Sequence, residues 1–102
     1  MKKSEFVHHK TDEIIQRPYV LIKTEKHKYP LCVYKIDDNK YSALLMRCSH
    51  KGCELNPQGD YLVCPCHGSE FTNTGIVQSP PAAQNLTTFP TTTDNENIYI
   101  HF

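Results

Sequence analysis

The apolar residues of this chain come in short runs that are rich in β-branched and aromatic types. The runs at residues 19–24 (YVLIKT), 31–36 (LCVYKI) and 41–46 (YSALLM) each predict a β-strand. The polar tetrad DDNK at residues 37–40 separates the last two runs and predicts a hairpin turn. No stretch of the chain shows the 3.6-residue period of an amphipathic helix. The pattern therefore indicates a β protein.

Three further short segments have the same character. A strand is predicted at residues 60–63 (DYLV), entered through a turn at residues 56–59 (NPQG). Residues 87–89 (TTF) and 97–102 (NIYIHF) are predicted to form a closing pair, joined by a turn at residues 93–96 (TDNE). Short strands at roughly ten-residue spacing favour an all-β sandwich or small barrel.

The composition limits the classes of function that this chain could have. The chain has 102 residues, which is the size of one small domain. Eleven basic residues balance eleven acidic ones, so the chain has no net charge to favour nucleic acid as its main partner. Five cysteines and six histidines are many for this length, and they point to disulfides, a metal, or both.

No segment of the sequence predicts a membrane span or a secretory signal. No apolar run approaches the ~20 residues that a spanning helix needs. The N-terminus is basic but lacks the apolar stretch of a signal peptide. The sequence is therefore that of a cytoplasmic protein, or of a soluble domain separated from its anchor.

Two short motifs contain the candidate metal ligands. They are CSHKGC at residues 48–53 and CPCHGS at residues 64–69, and each offers a cysteine and a histidine as metal ligands. The surrounding segment, residues 47–81, shows little alternation of apolar and polar positions. We interpret it as a loop-built site inserted into a β scaffold. A zinc site would use the same four ligands and is the alternative reading of the two motifs.

The pattern C-x-H-x-G-C followed by C-P-C-H-G-S resembles the Rieske iron–sulfur proteins. The resemblance implies an antiparallel β-sandwich of small sheets, a single domain over residues 1–102, and a cluster-binding subdomain at about residues 47–81. It also implies a [2Fe–2S] cluster in which histidine replaces cysteine on one iron. The implied ligands are Cys48 and Cys64 on the inner iron, and His50 and His67 on the outer iron.

The resemblance extends to a disulfide. In the cytochrome bc-type, high-potential branch, the residues that match Cys53 and Cys66 are bonded to each other. The pair implies that branch and an oxidising compartment. Lys51 departs from the family pattern, because quinol-oxidising relatives usually have leucine there. The lysine makes quinol docking doubtful and suits a protein partner with an acidic patch.

Residues next to the ligands are also implied by the resemblance. Ser69 matches a serine that bonds a cluster sulfide and raises the potential. Phe71 stands where high-potential relatives have a tyrosine that bonds a ligand sulfur, so its presence predicts a lower potential than theirs. Pro80, in a segment that resembles the covering loop of the family, is predicted to shield the cluster. Gly52 and Gly68 are the glycines of the two motifs.

The function implied is one-electron transfer, with no catalytic residue. The chain would be an electron-transfer protein rather than a stand-alone enzyme, or a subunit of an oxidoreductase. We expect a soluble domain or subunit of a respiratory or periplasmic chain, with protein redox partners and no nucleic acid. Membrane contact would come only through a missing anchor or a partner subunit. A cytoplasmic Rieske ferredoxin that supplies an oxygenase or reductase is the alternative. A zinc-stabilised interaction module is a third possibility. The location expected is the periplasmic, extracytoplasmic face, with the cytoplasm as the alternative.

The remaining cysteine and histidines are expected to have structural roles only. Cys32 lies in an apolar run and is expected to be a small buried residue. The other histidines are expected to be surface or strand residues rather than ligands; they are His8, His9, His27 and His101.

Overall fold

The computed structural model describes residues 1–10, 13–50 and 52–102, with side chains in these ranges except at residues 8–10 and 13–15. A short 3₁₀ helix at Lys3–Phe6 precedes the strands. The strands are β1 (Val7–Lys10), β2 (Glu13–Gln16), β3 (Tyr19–Ile22), β4 (Leu31–Asp37), β5 (Lys40–Leu45), β6 (Asn56–Gln58), β7 (Tyr61–Val63), β8 (Glu70–Thr72), β9 (Val77–Ser79), β10 (Thr88–Phe89), β11 (Thr91–Thr93) and β12 (Ile98–Ile100).

The described strands form small antiparallel sheets, which confirms the predicted fold class. The central sheet has the order β10-β5-β4-β3, and the predicted hairpin joins β4 to β5, with Asp37 opposite Lys40. A second four-stranded sheet has the order β6-β7-β8-β9. Two-stranded sheets pair β1 with β2 and β11 with β12.

The two faces of the central sheet are buried in different hydrophobic clusters, as the period-two geometry of a strand requires. On one face, Cys32 and Tyr34 of β4 pack with side chains of the second sheet, such as Leu62 and Phe71. On the other face, Val33 packs with Phe6 of the 3₁₀ helix and with residues of β5 and β12. The first cluster holds the second sheet against the central one, and it also contains both cysteines of the predicted ligand set.

The two predicted ligand motifs follow strands that end on the same side of the molecule. The end of β5 leads into residues 48–53, and β7 leads into residues 64–69. The chain returns from the first of these segments beside its own entry, because the Leu55 N–H donates to the Met46 carbonyl at 3.1 Å. The motifs are therefore loops at one end of a small sheet. The segment predicted to be loop-built contains the short strands β6 to β9.

The structure corrects two local predictions and adds one hairpin. The predicted closing pair does not form, because β10 pairs with β5 and β12 pairs with β11 instead. Asn56–Gln58 is a strand rather than a turn, and the turn falls at Gly59 and Asp60. The hairpin of β1 and β2 lies in a stretch for which no strand was predicted. Pairing partners far apart in the chain leave no local pattern, whereas hairpins are marked by their turns.

Gly75 provides a test of the packing under the second sheet. Its φ of +87° disfavours a side chain, and a Cβ there would lie 3.0 Å from Leu44 and 3.2 Å from Thr88. We expect Gly75→Ala to lower the free energy of unfolding by about 2–4 kcal/mol, from backbone strain plus overpacking. Gly59→Ala is the matched control, since Gly59 has a similar φ of +64° but no atom within 4 Å of a Cβ. Urea denaturation should show that the control loses only about 1–2 kcal/mol; equal losses would contradict the packing argument.

Candidate metal centre

The first of the two loops, residues 48–53, is closed by its own backbone. The Cys48 N–H donates to the Cys53 carbonyl at 2.8 Å, and the Gly52 N–H donates to the Cys48 carbonyl at 2.9 Å. Gly52 has a φ of +76°, in the left-handed region that glycine occupies most easily. The loop therefore turns back over the cysteine that opens it.

The second loop, residues 64–69, repeats this arrangement. The Cys64 N–H donates to the Ser69 carbonyl at 2.7 Å, and the Gly68 N–H donates to the Cys64 carbonyl at 2.9 Å. Gly68 has a φ of +79°. In each loop the cysteine therefore bonds the residues four and five positions later. The cysteine-to-glycine spacing is the same in both motifs, which accounts for this equivalence.

Burial separates the predicted ligands into two kinds. The side chains of Cys48 and Cys64 are fully buried, in the hydrophobic cluster between the two sheets, and neither is in a disulfide. His50 and His67 are exposed, and their ring centroids lie 5.3 Å apart with the planes at 82°. The loops thus bring all four predicted ligands to one end of the fold, with thiols inside and imidazoles at the surface.

A disulfide joins the two loops, as predicted. It links Cys53 at the end of the first loop to Cys66 in the second, across 13 positions of sequence. The Cys64 sulfur lies within 4.8 Å of both bonded sulfurs. These three sulfurs do not form a metal site, because a cysteine in a disulfide has no thiolate to offer. The bond instead fixes the two loops to each other beside a predicted ligand.

A third loop, residues 80–85, lies against both motif loops. The Ala82 N–H donates to the buried Ser69 hydroxyl at 3.0 Å, and the Ser49 hydroxyl donates to the Gln84 carbonyl. Pro80, predicted to shield the site, is exposed at the start of this loop. The Ser69 hydroxyl accepts in this contact, and its own proton remains able to bond another acceptor.

The donor set fits a [2Fe–2S] cluster of the type in which histidine replaces two cysteines on one iron. Thiolates suit iron–sulfur clusters, and they are the donors placed inside the protein. The imidazoles come from the same two loops and lie at the surface, close to each other. The chemistry of the donors and their sorting by burial therefore agree with such a centre.

Residues 2–90 match the family described as the Rieske [2Fe–2S] domain. The chain belongs to this family. Rieske domains bind a [2Fe–2S] cluster, which is the cofactor that the resemblance implied. Among curated proteins, this chain is 34% identical over 55 residues to the cytochrome b6-f complex iron-sulfur subunit of Synechococcus sp. (strain CC9605). That match covers 52% of this chain and 31% of the relative.

A second relative comes from another kind of cytochrome complex. The ubiquinol-cytochrome c reductase iron-sulfur subunit of Rickettsia typhi (strain ATCC VR-144 / Wilmington) is 46% identical over 46 residues. The match covers 42% of this chain and 26% of that subunit. The Rieske domain thus aligns with about a third or less of the length of these curated relatives. The disulfide that the resemblance implied is present, and both of these curated relatives are iron–sulfur subunits.

Solved structures agree with membership of the Rieske family. The plasma membrane Rieske protein PetC3 from Synechocystis PCC 6803 is 33% identical, with a TM-score of 0.73 over 83% of this chain and 87% of that one. A chain from the complex of reduced oxygenase and oxidized ferredoxin in carbazole 1,9a-dioxygenase is 25% identical, with a TM-score of 0.63. That alignment covers 81% of this chain and 79% of the other.

The Rieske domain also contains a contact that the sequence did not indicate. The Tyr29 hydroxyl donates to the Gly52 carbonyl at 2.7 Å and so ties the segment before β4 to the first loop. The Arg47 guanidinium lies against Gly52, where a Cβ would approach it to 3.2 Å. A tyrosine in a polar segment 23 positions away gives no motif that would reveal this bond. Only the folded chain brings the two together.

The structure also places three other residues of the sequence analysis, Cys32, His27 and Phe71. Phe71 is fully buried in the cluster between the sheets. Cys32 is buried as predicted, and desolvation raises the pKa of its thiol to about 12, which keeps it neutral. His27 packs between Phe89 and Phe102 rather than near the loops.

Some residues of the sequence argument are not covered by the structure. Lys51 lies outside the described residues, and so do the side chains of His8 and His9.

His101 is an exposed residue, and its ring is hydrogen-bonded to the Thr92 hydroxyl. Within residues 1–10, 13–50 and 52–102, no helix has the length and hydrophobicity to cross a bilayer.

Proposed function

We propose that this chain is a single Rieske domain over residues 1–102 that transfers one electron at a time. Its cluster-binding subdomain spans about residues 47–81. The observation that supports this most directly is the sorting of the motif side chains by burial. Two thiols are fully enclosed, and two neighbouring imidazoles reach the surface. The proposed ligands are Cys48 and Cys64 for the inner iron, and His50 and His67 for the outer iron.

When bound, the [2Fe–2S] group supplies a reversible one-electron couple at a potential that its ligands and neighbours tune. The buried cysteines keep their side of the site away from water, whereas the exposed histidines offer the shortest route to a partner. The Ser69 hydroxyl is held in place by the Ala82 N–H and retains a proton that can stabilise a more negative sulfur. Phe71 has no hydroxyl to add to this effect.

We propose a place in a respiratory or periplasmic chain, with protein redox partners on the extracytoplasmic face. The disulfide supports an oxidising compartment, and the curated relatives are iron–sulfur subunits of cytochrome complexes. Membrane attachment would come through a partner subunit or an anchor outside these 102 residues. Lys51 argues against quinol as the direct electron donor.

One observation favours the alternative, a ferredoxin that serves an oxygenase. The fold is similar to a chain of the carbazole 1,9a-dioxygenase complex at 25% identity. Phe71 fits this alternative too, because it lacks the donor of the high-potential branch. The disulfide opposes it, and both curated relatives belong to cytochrome complexes.

The deciding experiment is the midpoint potential of the purified, cluster-loaded domain, together with its iron and sulfide content. Rieske centres span roughly −150 to +300 mV. We expect a positive value, because neutral imidazoles and the Ser69 hydroxyl both favour the reduced state. A value near the lower limit would support the oxygenase-type ferredoxin instead. Zinc in place of iron, with no redox response, would contradict the proposal altogether.

A further inference from the structure

Charge is unevenly distributed in this formally neutral chain. The cationic segment, residues 23–28 (KTEKHK), contains three of the eleven basic residues and one acidic residue, Glu25. It ends just before β4, and the Pro30 carbonyl accepts the Met46 N–H at 2.9 Å where β5 leads into the first loop. The segment therefore lies at the same end of the molecule as the exposed histidines.

Acidic residues occupy the opposite ends of the same hairpins. Asp37 and Asp38 lie at the turn between β4 and β5, and Asp60 lies at the turn between β6 and β7. The strands β5 and β7 each run from an acidic turn to a motif loop. The second and third loops carry no charged side chain. Among the described residues, the end with the candidate centre thus has Lys23, Lys26, Lys28 and Arg47 with Glu25, Glu54 and Glu70, whereas the other end has Lys35 and Lys40 with Asp37, Asp38 and Asp60.

The cationic segment is held in place rather than free to swing. Tyr29 bonds the first loop, and the Lys28 ammonium lies 5.8 Å from the centre of the Tyr29 ring. His27 packs on Phe89 and Phe102, and the Lys26 ammonium lies 5.0 Å from the Phe102 ring centre. The Tyr29 bond thus places Lys28 beside the first loop, and the contacts with Phe89 and Phe102 hold Lys26 and His27 against the C-terminal part of the chain.

The cations of this region remain available to a partner. The side chains of Lys23, Lys26, Lys28 and Arg47 are exposed, and among the described residues none of them has a carboxylate within 4.0 Å. Glu54 lines the same shallow cavity as Lys23 and Lys28, of about 190 Å³, but forms no ion pair within the described residues. Unpaired, pre-positioned cations favour binding to an anionic surface.

We propose that the cationic segment and Arg47 form the docking surface for an acidic patch on the protein redox partner. This inference rests on the proposed function, because it assumes that electrons leave through the adjacent histidines. This docking surface, called the rim below, lies beside the histidines through which electrons would leave. Its positive charges would orient the partner and raise the association rate at low ionic strength. A protein is favoured over a lipid surface because the rim adjoins the only predicted route for electrons.

The test measures binding of fluorescein-labelled decaglutamate to the cluster-loaded protein by fluorescence anisotropy. We expect the affinity to fall as salt is added, because the charges are exposed. Lys28→Glu should weaken binding about threefold to tenfold, since it reverses one charge in the rim. Lys40→Glu is the matched control: Lys40 is also exposed but starts β5 at the opposite end of the hairpin. It should change the affinity less than about twofold.

Equal weakening by Lys28→Glu and Lys40→Glu would overturn the proposal, because net charge alone would then explain the binding. Binding to vesicles with 30% phosphatidylglycerol, without binding to decaglutamate, would also overturn it and assign the rim to a membrane surface. Oxidation of the reduced protein by ferricyanide, which takes up the one electron that the protein loses, tests the proposed function separately. If that oxidation failed, the proposed electron transfer would be wrong. The decaglutamate measurement would still show whether the lysines bind an anionic surface.

Discussion

His67→Ala will leave the Rieske domain with little or no cluster. The His67 ring lies at the surface of the second loop and 5.3 Å from His50, where the two imidazoles can share one iron. Losing a residue that merely supports a metal ligand already lowers metal affinity tenfold to a hundredfold, and losing a ligand should cost at least that much. We expect iron and sulfide per chain to fall at least about tenfold, with loss of the visible absorption.

His101→Ala is the matched control for this substitution. His101 is also an exposed histidine, but its ring bonds Thr92 and it lies in neither motif loop. That variant should retain iron and sulfide at the wild-type level. Because His67 is exposed, its replacement should leave the fold itself intact, which circular dichroism of both variants would check. A His67→Ala protein with a full complement of iron would contradict the proposed ligand set.

The strongest local signals in the sequence correctly predicted the central part of the fold. The strands β3, β4 and β5 are long enough for β-branched and aromatic residues to accumulate, and the turn at Asp38 and Asn39 marks the hairpin. The two motifs were recognisable because their spacing is fixed by chemistry. Each loop closes on itself through its first cysteine and the glycine four positions later.

The remaining features depend on contacts between distant parts of the chain. The strands β6, β8 and β9 have three residues each, which is too short for alternation to be visible, and β6 even contains Pro57. The pairing of β10 with β5 joins residues more than 40 positions apart. The Tyr29 bond to Gly52 and the Ala82 bond to Ser69 are equally non-local. Such contacts follow from the assembled fold and have no periodic signature.

Replacing both disulfide cysteines with serine, Cys53→Ser/Cys66→Ser, will destabilise the domain by about 3 kcal/mol. The bond closes a loop across 13 positions, and the chain-entropy model assigns roughly this value to a loop of that size. It also joins two loops that otherwise contact each other through the His50 and His67 rings and through the third loop. We therefore expect faster cluster loss as well, measured as bleaching of the visible spectrum, alongside urea denaturation.

Cys32→Ala separates the effect of the bond from the effect of removing a thiol. Cys32 is fully buried in β4, outside the motif loops, and its loss leaves the disulfide in place. This control should lose about 1 kcal/mol from the small cavity but should bleach at the wild-type rate. Reduction of the wild-type disulfide with dithiothreitol should reproduce the double serine variant, because both remove the same cross-link between the loops. If the double variant bleaches no faster than wild type, the bond does not hold the loops around the cluster, and its role would be confined to stability.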